Sequence, residues 1–333
     1  MIKERKGQDI THINQEDRVD REINHARGKR YCPFCLRKTE QKVLKREPAS
    51  ENIAHTDLSH ICVDIVRCLE CSAVFVSRNI SQEVIERYYV EKLGARISID
   101  KDYFNWALQY TQPAIDQILR YIDKELRGAL LDVGCGCGVL LFLAKQKRWL
   151  VTGLDLNAKM VKFVLGGLGI DCLNGTLFDF DLPKNHYSVI TLIDVVEHLY
   201  EPVKTLARCR ELLKPGGIIL VKTPQWRMQY LKERAKRLLQ VGTGNIAKIV
   251  HINQFDPSSM QLAFQQAGLV PVAIYPAKLS LQGMQGAPFS IKNLIEHIIR
   301  AAVNATVELL YTKTQLNLSF HLLGVARKPL NLL

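Results

Sequence analysis

The chain has 333 residues, a formal net charge of +12, 47% apolar residues and nine cysteines, long enough for about two domains with a full core. No run approaches the ~18 apolar residues of a membrane span, and no signal segment follows the first lysines, so a soluble, cytoplasmic protein is expected rather than a membrane or disulfide-scaffold one. The basic excess leaves nucleic acid, anionic lipid and phosphorylated substrates open as partners.

Residues 1–30 are polar and of mixed charge, the composition of a flexible leader. The first organised feature is Cys32-Pro33-Phe34-Cys35, answered by Cys68-Leu69-Glu70-Cys71. Two such knuckles set four thiolates tetrahedrally around one Zn2+. Cys32, Cys35, Cys68 and Cys71 are therefore the expected ligands of a zinc-ribbon-like module over residues 31–90. Two independent, unligated knuckles are the plainer alternative, and His55, His60 and Cys62 are substitute ligands in the loop between. Residues 73–76 read as a closing strand, and Ser81 caps a helix to Tyr89. Tyr88, Tyr89, Tyr103, Phe104 and Trp106 make an aromatic bridge, either interdomain packing or a substrate-facing wall. From Pro113, the apolar residues Ile115, Ile118, Leu119, Ile122 and Leu126 recur at helical spacing up to Gly128.

The stretch 129–157, ALLDVGCGCGVLLFLAKQKRWLVTGLDLN, follows. It reads as a buried strand (129–133), a turn with Gly134, Gly136 and Gly138, a buried helix (139–145) and a strand (150–154) ending in Asp155. A glycine turn between strand and helix lets backbone approach a ligand and aims free N–H groups at it. A carboxylate ending the next strand accepts hydrogen bonds from ribose hydroxyls. A nucleoside-containing cofactor is expected. Gly-x-Gly-x-Gly is not the dinucleotide fingerprint Gly-x-Gly-x-x-Gly, whose third place here is Val139.

Further on, Asn157 caps a helix ending at Gly166-Gly167, and strands follow at 170–173 and 189–193. Pro202 opens a helix with Val203, Leu206, Cys209 and Leu213 on one face. Lys214-Pro215-Gly216-Gly217 turns into a strand at 218–222. The segment 225–250 holds Arg227, Lys232, Arg234, Lys236 and Arg237 beside Trp226, Met228 and Tyr230, which is either a solvated amphipathic helix or a basic lid. A helix at 257–268 and a strand at 269–275 follow. Residues 290–310 form an amphipathic helix, open as a lid, a dimer face or a membrane-surface helix, and a last strand spans 320–326.

The glycine turn, YSVITLIDVVEHLYEP (187–202), LLKPGG (212–217) and VKTP (221–224), in that order, resemble the class I S-adenosylmethionine-dependent methyltransferases, small-molecule branch. The resemblance implies an α/β fold: a Rossmann-like seven-stranded sheet with helices on both faces, over residues 91–333 with lid insertions at 225–250 and 277–318. It also implies that Asp132, Gly134, Gly136 and Gly138 hold the methionine end of S-adenosylmethionine, Asp155 with Leu156 the ribose, Thr176 and Asp179 the adenine side, and that Asp194 lies beside the donor. His198, just past a strand end, is the best-placed base because imidazole titrates near neutral pH; helping to shape the pocket is its other reading. His251 is the second candidate. Cys135 and Cys137 read as small residues filling the turn.

The expected acceptor is a small molecule such as a sugar or lipid precursor, anionic by the charge of 225–250. RNA or protein methylation is the runner-up, although the stretch from Asp194 to His198 lacks the Asn/Asp-Pro-Pro-aromatic signature. A non-catalytic scaffold is third, and peripheral membrane contact stays open.

Overall fold

The computed structural model describes residues 31–48, 62–76, 99–123, 127–238, 251–278 and 291–330. Expectations for 1–30, for 81–89 with Tyr88 and Tyr89, for His55, His60 and Leu126, and for 239–250 and 279–290 fall outside the described residues. So do those for the side chains of Cys62, Arg237 and residues 291–297.

Strands β1 (Gln41–Pro48), β2 (Cys62–Cys68) and β3 (Val74–Val76) form an antiparallel meander with a bulge between Val43 and Lys45. Helix α1 spans Lys101–Ile122 and is capped by Asp100, whose side chain accepts from the Tyr103 amide at 2.8 Å. It therefore begins twelve residues before Pro113, the expected start, and carries that proline in its interior. Phe104 and Ala107 continue the buried stripe of Ile115, Ile118, Leu119 and Ile122 across the proline, so packing of one face outweighs the lost helical hydrogen bond. Phe104 lies 5.3 and 5.8 Å (centroids) from Phe142 and Phe163. That residue thus packs helix to helix rather than bridging modules.

The rest alternates: β4 (Ala129–Val133), α2 (Val139–Gln146), β5 (Leu150–Asp155), α3 (Ala158–Leu168), β6 (Asp171–Asn174), β7 (Tyr187–Ile193), a 3-10 turn (Val196–His198), α4 (Pro202–Leu212), β8 (Leu213–Pro224), α5 (Trp226–Leu238), β9 (Asn253–Gln254), α6 (Pro257–Gln266), β10 (Val270–Pro276), α7 (Ile291–Thr314) and β11 (His321–Arg327). Helix α3 runs through Gly166-Gly167 and stops at Gly169, whose φ of 61° supplies the left-handed cap. Strand β8 starts at Leu213, but residues 214–217 loop out of its ladder, since Leu213 pairs with Tyr187 and Ile218 with Val189, and Gly216 has a φ of 77°; the expected turn lies there.

The main sheet has the order β10-β11-β8-β7-β4-β5-β6, parallel except for β11. Its residues alternate between two buried layers. Leu130, Val189 and Leu220 face α1, α2 and α3, whereas Leu131, Ile190, Ile219 and Val221 face α4 and α6. Helices thus cover both faces, as expected. The small sheet has a fourth member from far along the chain: β9 pairs antiparallel with β3. Its core joins that of the α4–α6 layer, with Phe34 edge-on to Phe255 at 5.0 Å. The cysteine module and the large sheet share one hydrophobic core.

Candidate active site

The C-terminal ends of the parallel strands carry the residues singled out in the sequence. After β4 the chain turns at Gly134, Gly136 and Gly138, all with positive φ. A side chain at Gly134 would collide with Val195 Cγ2 at 2.4 Å, whereas one at Gly136 would meet nothing within 4 Å. Gly136 therefore borders open space, the cradle a bound ligand would occupy. Asp155, ending the neighbouring strand, braces this turn. One carboxylate oxygen accepts from the Gly136 amide and the other from the Asn157 amide, both at 2.8 Å. Burial raises the Asp155 carboxyl and those two amides oppose the rise.

Asp132 lies deeper. Thr191 Oγ1 donates to it across β4 and β7 at 2.6 Å, and burial lifts its pKa to about 7. The Thr176 amide and hydroxyl donate to Asp179 at 2.6 and 2.8 Å, so Asp179 closes its own loop. The Leu156 carbonyl accepts from Asn174. Cys135 and Cys137 are buried in the turn. Cys135 Sγ is 3.6 Å from Cys172 Sγ, in room left by the absent side chain of Gly153.

Past β7, Asp194 has a φ of 55°, a left-handed conformation that an aspartate tolerates. Lys222 on β8, which sequence reading did not single out, donates both to Asp194 Oδ1 at 2.8 Å and to Oδ2 at 2.6 Å. Depth in the cleft works against the charge on Asp194, yet Lys222, His321 and His198 outweigh it and hold the carboxyl below its ordinary value. Its carboxylate stays accessible from the cleft. The adjoining Glu197 is buried and accepts from Thr223 Oγ1 at 2.9 Å. Burial and the nearby Asp194 charge push it up to about 8.

The two candidate histidines meet. His198 and His251 are 53 positions apart (251 − 198), yet their rings are 4.8 Å apart, edge to face. With Glu197 they bring three polar side-chain atoms within 4.8 Å of one another.

The four knuckle cysteines also converge, with Cys32 Sγ 3.6 Å from Cys71 Sγ and Cys35 Sγ 3.9 Å from Cys68 Sγ. Zinc–sulfur bonds of about 2.3 Å in a tetrahedron need sulfurs about 3.8 Å apart, so this donor set fits zinc. Thr39 Oγ1 lies 3.1 Å from Cys68 Sγ, a supporting hydroxyl for a thiolate. Among themselves the thiols divide the charge unevenly. Cys32, hydrogen-bonded to Cys71 and buried, is pushed up, and Cys71 is drawn down to about 5 by that same bond.

Helix α5 leaves β8 and lies against the small sheet, where Trp226 packs on Ile65 and Val74. Between them is a cavity of about 1290 Å³, edged by Lys45, Arg67, Arg227, Arg234 and Tyr230. None of its lining residues belongs to the glycine turn or the histidine pair. The described part of the basic segment thus walls a cavity against the small sheet.

Sheet order, the glycine turn and the strand-end Asp155 that braces it are the arrangement of a class I S-adenosylmethionine-dependent methyltransferase. A family model described as a methyltransferase domain matches residues 106–274, half of the chain, and the chain belongs to that family. The ubiquinone biosynthesis O-methyltransferase of Saccharophagus degradans is 31% identical over 164 residues, covering 45% of this chain and 67% of the relative. Its namesake from Nitrosospira multiformis is 32% identical over 166 residues, with the same coverage. A crystal structure of an S-adenosylmethionine-dependent methyltransferase from Archaeoglobus fulgidus is similar over 69% of this chain and all of that one, with 19% identity and a TM-score of 0.45. The chain is an enzyme transferring methyl groups from S-adenosylmethionine to a small-molecule acceptor. Among the described residues, no helix is long and apolar enough to cross a membrane.

Proposed function

We propose that the enzyme methylates a hydroxyl of an anionic small molecule with an apolar part. The observation that carries this reading is the meeting of His198 and His251 beside Glu197 and Asp194, at the mouth of the strand ends. When bound, the cofactor supplies an electrophilic methyl group. Asp132 and the glycine turn hold its methionine end, Asp155 with Leu156 orients its ribose, Thr176 and Asp179 border the adenine, and Asp194 lies beside the donor. Lys222 neutralises Asp194, which leaves His198 to take the acceptor proton while His251 packs against its ring. Hydroxyl methylation agrees with the activity in the names of the relatives.

The cavity, set apart from the histidine pair, supports the acceptor class as a place for the part of the acceptor remote from the methylated hydroxyl. Its floor of Ile65, Val74 and Trp226 is apolar, and Arg67 and Arg234 at its edge have no ion-pair partner among the described residues. An apolar body on that floor and an anion between those guanidiniums would be complementary to it. One zinc ion on Cys32, Cys35, Cys68 and Cys71 would fix the small sheet. On this reading the catalytic domain, residues 91–333, lends β9 to the module of residues 31–90.

Labelled S-adenosylmethionine offered with hydroxylated aromatic, sugar and lipid-phosphate acceptors, and with RNA, tests the proposal. His198→Gln should lower turnover about 10²- to 10⁴-fold with cofactor affinity unchanged. A loss under tenfold would reduce His198 to shaping the pocket, and label entering RNA alone would overturn the acceptor class.

A further inference from the structure

Two consecutive residues, Asn253 and Gln254, are all there is of strand β9, and both are buried. Their backbones extend the cysteine-module sheet: Asn253 pairs with Phe75 and Gln254 with Val74, while the Val76 amide donates to the Ile252 carbonyl at 2.8 Å. Strand β3 itself starts three residues after Cys71, and the Cys68 amide donates to the Ala73 carbonyl. The register of β9 is thus set by the second knuckle.

The side chains of the same two residues point to other work. Asn253 Nδ2 donates to the Val196 carbonyl at 3.0 Å and to the Leu199 carbonyl at 2.6 Å. Those carbonyls bracket Glu197 and His198. Both partners are acceptors, so the amide must present its NH2; the reversed amide would set oxygen against oxygen. The price is a buried Oδ1 without a partner among the described residues, a cost of the kind a protein carries only where the donors are needed. Gln254 Nε2 donates to the His251 carbonyl at 2.7 Å. One amide fixes the turn that bears His198, and the next fixes the backbone of His251.

We infer that Asn253 and Gln254 are positioning residues, through which the cysteine-module sheet sets the spacing and angle of the His198–His251 pair. The small sheet then acts on the catalytic pair through the backbone, and β9 is the joint between them. This rests on reading the two histidines as the acceptor-side pair, but the geometry itself can be tested apart from that reading.

Imidazole NMR of the full-length protein, saturated with S-adenosylhomocysteine, reports the two rings directly, and hydrogen exchange reports residues 195–199. In Gln254→Met the His251 resonances should shift more than those of His198, because only the His251 carbonyl loses its donor. In Asn253→Ala the amides of residues 195–199 should exchange about ten- to a hundredfold faster and both rings should shift, with S-adenosylhomocysteine affinity within about threefold of wild type. Unchanged rings and exchange in a folded Asn253→Ala would overturn the inference. If Asn253→Ala does not fold, Gln254→Met decides: an unmoved His251, or equal movement of both rings, overturns it. Failure of His198→Gln to slow turnover would remove the catalytic reading and leave the clamp standing.

Discussion

Asp155 provides the most direct test of the donor site. Its carboxylate makes two bonds of 2.8 Å to backbone amides, one of them at the centre of the glycine turn. Charge-assisted bonds of this kind contribute roughly 1.5–3 kcal/mol each. Burial of the carboxylate, visible in its raised pKa, offsets part of that, so Asp155→Ala should cost about 1–3 kcal/mol of stability. Cofactor affinity should fall further. On the proposed reading the variant loses the ribose acceptor, and it also frees Gly136, which borders open space. One lost charge-assisted bond alone raises Kd roughly ten- to a hundredfold. Asp155→Asn keeps the shape but sets an NH2 group against one of the two amides, so it should lie between wild type and alanine. Titration calorimetry with S-adenosylhomocysteine, beside a thermal melt, measures both effects. A folded Asp155→Ala with wild-type affinity would refute the assignment. An asparagine variant weaker than alanine would refute the bracing role.

The cysteine cluster should yield about one zinc per chain by metal analysis, and Cys68→Ser should release it and lower the melting temperature; a metal-free wild type that melts normally would contradict this. Glu197 and Asp132 should contribute a fall in stability as pH rises from about 6.5 to 8, which the lowered Cys71 thiol opposes. Glu197 and Asp132 are held protonated, up to about 8 and about 7, so their contribution is complete below the ordinary carboxyl range and is lost as pH passes through those values. His321, lowered to about 4 by burial, opposes this trend only below the ordinary histidine value of about 6.5. Melting temperatures of wild type and Glu197→Gln across pH 6–9 isolate the carboxyl: the wild type should lose stability relative to the variant as pH rises, and an unchanged difference would refute this.

Local signals made much of this protein legible before folding. Glycine spacing, an aspartate at a strand end and alternating apolar runs are statements about a few neighbouring residues, and they placed β4, α2, β5 and the glycine turn. Paired knuckles placed the four thiols, because each Cys-x-x-Cys already fixes two of them. Local rules misled where packing prevailed. Pro113 read as a helix start, but a stripe reaching back to Phe104 carried α1 across it. Three features belong to the tertiary structure alone: the pairing of β3 with β9, the meeting of His198 with His251, and the neutralisation of Asp194 by Lys222. Each joins residues from separate elements, and their proximity follows from the order of strands and the closure of the loops between them. No periodicity within a single segment encodes that.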